Sequence, residues 1–310
     1  MRHARTHTLT HAQRGLALCA SLLLALTNAF AQATPPAAPA DSSPAQDGIA
    51  LAPARFELEM TPGSETTVVV NLDYHTARKD ARPSRILASL NDWALSPSGE
   101  LEFFRAGTRP RSACPWMVYS PAEVVVEPGK THSVRVTISV PADAAPGDHL
   151  AALVVEQRPD AIKLNRNARQ MVLRYRMAAL FYVKVPGLTR EGSLADLKAV
   201  AEEEGVRVTP TLRNEGNSVV RPVTSLTVKD STGRVLAHLP EGESLPVLGH
   251  ATLSQPIRLR QTLPPGKYSV TYRVDFQGHG KTTEGITDLV IHSKDTQPLT
   301  AANAKPTPAP

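Results

Sequence analysis

Hydrophobic and polar positions alternate along most of the chain between Gly48 and His292, in short runs punctuated by Pro and Gly. Two-residue alternation is the signature of a strand with one buried face. Over residues 133–140, Val134, Val136, Ile138 and Val140 share one face, while Ser133, Arg135, Thr137 and Ser139 share the other. The same reading predicts strands over 49–60, 66–72, 84–95, 100–104, 122–126 and 149–157, and later over 206–212, 219–229, 234–239, 253–259, 266–276 and 281–291. Thr61-Pro62-Gly63-Ser64, Pro97-Ser98-Gly99 and Glu127-Pro128-Gly129-Lys130 place Pro and Gly where tight turns want them. Short strands at regular spacing, with little helical periodicity, predict an all-β chain. Its length fits two immunoglobulin-like β-sandwich domains in tandem, 48–187 and 188–293, joined by the short segment Pro186-Gly187-Leu188-Thr189-Arg190-Glu191.

One run stands out. Residues 170–185, QMVLRYRMAALFYVKV, contain no Gly or Pro. One parity holds Met171, Leu173, Tyr175, Met177, Ala179, Phe181, Val183 and Val185; the other interleaves Arg174, Arg176 and Lys184 with apolar residues. As a strand it would reach about 50 Å, long beside the usual five or six residues. A helix is the rival reading, because Met, Leu, Arg and Ala are good helix formers. The Tyr/Phe/Val-rich second half and the Pro186-Gly187 stop favour the strand.

The ends of the chain follow a different rule. Arg2, Arg5 and Arg14 form a basic start, residues 15–26 (GLALCASLLLAL) an apolar core too short to span a bilayer, and Ala29-Phe30-Ala31 a cleavage site, with Ala31-Gln32-Ala33 as a second option. Residues 1–31 therefore read as a signal peptide, and the mature protein as exported and soluble. Cys19 invites a lipoprotein reading, which Leu18 directly before it opposes. Residues 32–47 and 294–310 are Pro/Ala-rich and read as a disordered leader and tail. The formal charge of +5 loses three arginines with the signal, leaving about +2, which removes the electrostatic case for a nucleic-acid partner. Cys114 is then the one cysteine of the mature chain and cannot form an internal disulfide; it is either a buried, inert thiol, the favoured reading, or a site of intermolecular pairing.

No catalytic constellation rises above its bland reading. His75, His132, His149, His238, His250, His279 and His292 are scattered singly, without metal-ligand spacing. There is no GxSxG elbow. Glu202-Glu203-Glu204 reads as a solvated hairpin tip, and Gly278-His279-Gly280 as another tip rather than a phosphate loop. No cofactor, metal or catalytic residue is expected, and binding is favoured over enzymatic activity.

Four stretches, in this order, resemble the periplasmic pilus-assembly chaperones, the PapD-like family. They are Leu51-Ala52-Pro53-Ala54-Arg55-Phe56 after the signal, Pro115-Trp116-Met117 with Ser120-Pro121, the Pro128-Gly129 turn before a strand ending Val140-Pro141, and Ala179-Leu180-Phe181-Tyr182 before the interdomain Pro. The likeness covers about residues 49–187. The resemblance implies a periplasmic chaperone that lends an edge strand to an incomplete sandwich of a pilin-like protein subunit, without spanning the membrane and near an outer-membrane usher. The lent row would be Met171, Leu173, Tyr175 and Met177. The competing expectation is that this row packs inside its own sandwich. The family anchors its client's terminal carboxylate on a basic pair; Arg55 matches the first member, but Ala179 stands where the Lys is expected, so Arg176 or Lys184 is the candidate substitute. The alternative is an exported adhesion or surface-binding module in which the sandwiches are scaffold.

Overall fold

The computed structural model describes residues 48–76, 79, 81–158, 176–276 and 282–292. The segments expected as signal, leader and tail, the expected tip at Gly278-His279-Gly280, and Met171, Leu173 and Tyr175 of the expected long strand lie outside the described residues.

The first half of the fold contains β1 (Gly48–Ala52), β2 (Arg55–Glu59), β3 (Glu65–His75), β4 (Ser84–Leu95), β5 (Leu101–Arg105), β6 (Met117–Ser120), β7 (Glu123–Val126), β8 (Thr131–Ser139), β9 (Gly147–Arg158) and β10 (Arg176–Val185). A 3₁₀ turn, Cys114–Trp116, precedes β6. The second half contains β11 (Gly192–Glu202), β12 (Gly205–Asn214), β13 (Val223–Asp230), β14 (Val235–Glu243), β15 (Thr252–Leu253), β16 (Ile257–Leu259), β17 (Gly266–Asp275) and β18 (Thr282–Ile291).

Two sheets build the first sandwich: β1-β3-β8-β6, and β2-β10-β9-β4-β5 with β7 also paired to β4. The run read as one strand over 49–60 is divided between them. β1 pairs antiparallel with β3, the chain bends through Pro53, and β2 pairs parallel with β10. Proline lacks an N–H to give to a ladder, so the change of sheet falls at the residue least able to continue pairing. The core between the sheets follows the alternation read from sequence. Val134, Val136 and Ile138 on β8 and Val70 and Leu72 on β3 are fully buried. Opposite them lie Ile86, Leu153, Val155, Phe181 and Val183.

The second sandwich stacks β11-β12-β15, with β16 also on β12, against β14-β13-β17-β18. Its core holds Val206, Val208, Leu212, Leu226, Val228, Val270, Tyr272 and Val274. The strand expected over 253–259 is interrupted, because Ser254, Gln255 and Pro256 leave the ladder between β15 and β16. β11 has no counterpart among the strands read from the sequence. The Glu202-Glu203-Glu204 run does turn β11 into β12, with Glu202 opposite Gly205.

A third apolar cluster joins the sandwiches. Trp93, Ala152, Val154 and Tyr182, on the outer face of the β2-β10-β9-β4 sheet, pack against Val219 and Leu248 of the second sandwich. Trp93 meets Tyr182 edge to face, with ring centroids 5.1 Å apart. Backbone bonds seal the joint: the Asp148 N–H donates to the Asn217 carbonyl at 2.9 Å. The Val219 N–H donates to Asp148 Oδ2 at 2.7 Å. Gly147, at φ +118, lets the chains meet; a Cβ there would come within 2.8 Å of the Asn217 carbonyl oxygen. Here both the backbone conformation and the close approach require glycine.

Candidate protein-binding site

β10 is the element on which the sequence reading turns. It is a strand and not a helix from Arg176 onward. Its antiparallel ladder with β9 is continuous from Arg176, opposite Glu156, to Val185, opposite Gly147. On the other flank, β2 pairs only with residues from Leu180 to Lys184. The first contact on that side is the Leu180 N–H donating to the Ala54 carbonyl at 2.9 Å. Among the described residues, no strand pairs with the second flank of β10 between Arg176 and Ala179. The strand is thus walled in along its C-terminal half and open along the start of its described length.

Side-chain direction is equally definite. Ala179, Phe181, Val183 and Val185 point into the first sandwich's own core, and Met177 packs partly buried against it. Phe181 stacks on Phe56 across the β2–β10 pair, with ring centroids 4.7 Å apart. The opposite parity, Ala178, Leu180 and Tyr182, faces the joint cluster. Of the row expected to be lent, only Met177 falls among the described residues, and it stands at the boundary between own-core packing and the open flank.

The three basic candidates part company. Arg176 is exposed, and its guanidinium lies over the Phe103 ring at 5.4 Å. Eight residues of strand, about 26 Å, separate it from Lys184. Arg55 and Lys184 do converge, on a residue the sequence reading passed over: Glu57. Lys184 Nζ donates to Glu57 Oε2 at 2.7 Å. Arg221, from the second sandwich, donates to Glu57 Oε1 at 2.8 Å. Arg55 Nε lies 3.3 Å from the same oxygen. Period-two spacing places Arg55 and Glu57 on one face of β2, so that pairing was legible in principle. Arg221 is 164 residues from Glu57 in sequence and carries no local signal.

Burial orders the cluster. The side chain of Lys184 is 10% exposed, that of Arg221 25% and that of Glu57 29%, whereas Arg55 remains 57% exposed. The Arg221 guanidinium also lies 5.7 Å above the Tyr182 ring, which fixes its approach. Burial alone would raise the Glu57 carboxyl, but the Lys184 hydrogen bond and the charges of Lys184 and Arg221 outweigh it and hold the group below the usual carboxylate range. Asp148, opposite Lys184 in the β9–β10 register, gives one oxygen to the Val219 N–H. Beside the cluster, Glu57, Lys184, Arg190, Val219, Arg221 and Phe276 line a cavity of about 260 Å³ between the sandwiches.

The remaining chemistry is structural. Asp92, 1% exposed, accepts from the Thr108 and Arg109 N–H groups at 2.7 and 2.8 Å and from the Ser112 hydroxyl, fixing the basic loop before the 3₁₀ turn. Cys114 is buried, and desolvation pushes its thiol up to about 12. His149 packs on Trp116 with centroids 4.3 Å apart, and burial lowers its pKa. Among the described residues there is no group of three or more His, Cys, Asp or Glu able to hold a metal ion, and no helix long and apolar enough to cross a membrane.

No protein-family model and no curated protein matches the chain. Among solved structures it is similar to the class 5 fimbriae chaperone CfaA, at 13% identity over 79% of this chain and 100% of that one, with a TM-score of 0.39. It is also similar to a chain of the CsuC–CsuE chaperone–tip adhesion subunit pre-assembly complex of Acinetobacter baumannii, at 14% identity over 78% and 98%, TM-score 0.39. The CupB2 chaperone of Pseudomonas aeruginosa is matched at 14% identity over 76% and 98%, TM-score 0.35.

Proposed function

We propose that this protein is a non-enzymatic periplasmic chaperone, a divergent PapD-like protein, that holds pilin-like subunits by sharing the open flank of β10. The observation that carries the reading is the asymmetry of β10: paired with β9 throughout, paired with β2 only from Leu180. An unpaired strand flank presents backbone donors and acceptors that invite another chain, and soluble proteins ordinarily cover or charge such an edge. Here Arg176 charges it, and the flank leads directly back into the row Met171, Leu173, Tyr175 and Met177. In strand addition the main-chain hydrogen bonds supply affinity, and every second side chain supplies fit. The basic cluster around Glu57 lies farther along the same strand, where a bound subunit's terminal carboxylate would meet Arg55 and Lys184. Export by the 1–31 signal places the protein in the periplasm, and the usher that would receive its cargo lies in the outer membrane.

Co-expression with the sandwich subunits encoded beside its gene tests this reading. A one-to-one complex is expected, weakened strongly by Leu173→Asp and Tyr175→Asp in variants whose thermal unfolding matches the parent. Absence of any complex with such subunits contradicts it.

A further inference from the structure

Three cations surround Glu57, and each approaches a carboxylate that is part of the chain. The two Glu57 oxygens are divided between Lys184 on one side and Arg221 with Arg55 on the other. This is the arrangement in which a carboxylate is bound by charge-assisted hydrogen bonds. It draws on both sandwiches: Glu57, Arg55 and Lys184 come from β2 and β10, and Arg221 from the segment before β13. The cavity beside it is lined by Lys184, Arg190 and Arg221 as well as Glu57, so a small anion has room next to the cations.

We propose that Glu57 is a resident carboxylate that occupies the cation cluster in the free protein and competes with any incoming carboxylate, and that Arg221 of the second sandwich is a specificity-determining residue of that site. The proposal rests on the chaperone reading only for the source of the incoming group, a subunit's C-terminus. Its chemistry is independent of strand lending. An incoming carboxylate must either displace Glu57 from Lys184 and Arg221 or sit beside a like charge. Both weaken binding, so the site holds a free carboxylate weakly and favours one that other contacts also hold in place. Arg221 is poised for such an exchange: its guanidinium has more donors than the one given to Glu57 Oε1 uses, and it lies 5.7 Å from the centre of the Tyr182 ring. Removing the resident charge while keeping its shape leaves the cations to the newcomer.

The test uses N-acetylglycine and its primary amide as probes, with binding followed by the side-chain nitrogen resonances of Arg221 and Lys184. Glu57→Gln is expected to bind the acid about tenfold more tightly than the parent does, with no gain for the amide. Adding Arg221→Gln is expected to cancel that gain. Equal affinity of parent and Glu57→Gln for the acid, or an equal gain for the amide, overturns the proposal. Should Glu57→Gln fail to fold, Arg221→Gln alone decides: weaker acid binding than the parent supports the site, and unchanged binding overturns it. A protein that passes this test but forms no complex with sandwich subunits keeps the carboxylate site and loses the chaperone reading. One that forms complexes but shows no Glu57 effect keeps the chaperone reading and loses the resident carboxylate.

Discussion

Replacing Phe181 with Ala tests whether β10 is held to the fold as described. Phe181 is fully buried, stacked on Phe56 at 4.7 Å, and joins the parallel β2–β10 pair to the first core. Truncating a buried Phe to Ala costs about 3–5 kcal/mol, the transfer and cavity contributions together. The lost ring pair, worth about 0.5–1.5 kcal/mol, places this site in the upper part of that range. Both tryptophans of the chain lie on the first sandwich, Trp116 against its core and Trp93 at the joint with the second, so their fluorescence follows the first sandwich and its joint. In urea, with a slope of about 2 kcal/mol/M, a loss of about 4 kcal/mol moves the midpoint down by about 2 M at unchanged slope. Val118→Ala, at a side chain 67% exposed, is the control and should stay within about 0.5 kcal/mol. Phe56→Ala and the double variant close a cycle in which the ring pair appears as non-additivity. A Phe181→Ala loss below about 1 kcal/mol, with the slope intact, would mean that β10 is not packed on β2 in this way.

Other outcomes follow from the same structure. Asp92→Asn should destabilise the first sandwich by about 1–3 kcal/mol at neutral pH. Because hydrogen bonds from Ser112 and the Arg109 N–H overcome burial and hold the Asp92 carboxyl low, its stabilisation is present above the unfolded value near 3.9 and lost as pH falls through the folded one. Urea midpoints of parent and variant should therefore converge in acid; a gap that persists there refutes the assignment. Cys114, with its thiol pushed up to about 12, should alkylate at pH 8 about a thousandfold more slowly in the native protein than in denaturant, followed by mass spectrometry of its peptide. Between the unfolded and folded values its sign is opposite to that of Asp92, and stability falls as pH rises above about 9. Asp148→Ala strands the Val219 N–H at the joint and should cost about 1–3 kcal/mol, read as a lower Trp93 unfolding midpoint.

The parts of the fold legible in the sequence are those governed by local periodicity. The alternation at Val134, Val136 and Ile138 returned as buried positions, and the run over 84–95 returned with the bounds of β4. Pro53 in an apolar run and the Ser254-Gln255-Pro256 break were visible as residues. Their consequence, a change of sheet in one case and a divided edge in the other, depends on partners remote in sequence. β11 escaped because a register shift between Leu194 and Asp196 breaks its alternation, and because Ala199 and Ala201 are half-buried residues too small for a pattern of large apolar residues to register. The cation cluster was half legible. Arg55 and Lys184 were nominated, but Glu57 was not, and Arg221 enters only through the joint between the sandwiches. Arg176 was nominated for the same role because charge alone does not say which end of a strand a residue occupies.

Amide hydrogen exchange across β10, with and without a co-expressed sandwich subunit, tests strand lending most directly. Amides between Arg176 and Ala179 that point away from β9 should exchange quickly in the free protein and become protected in the complex, while those of Leu180–Lys184, already paired to β2, change little. Protection of the 176–179 flank in the free protein, or a complex that leaves it as fast as before, would contradict the shared edge.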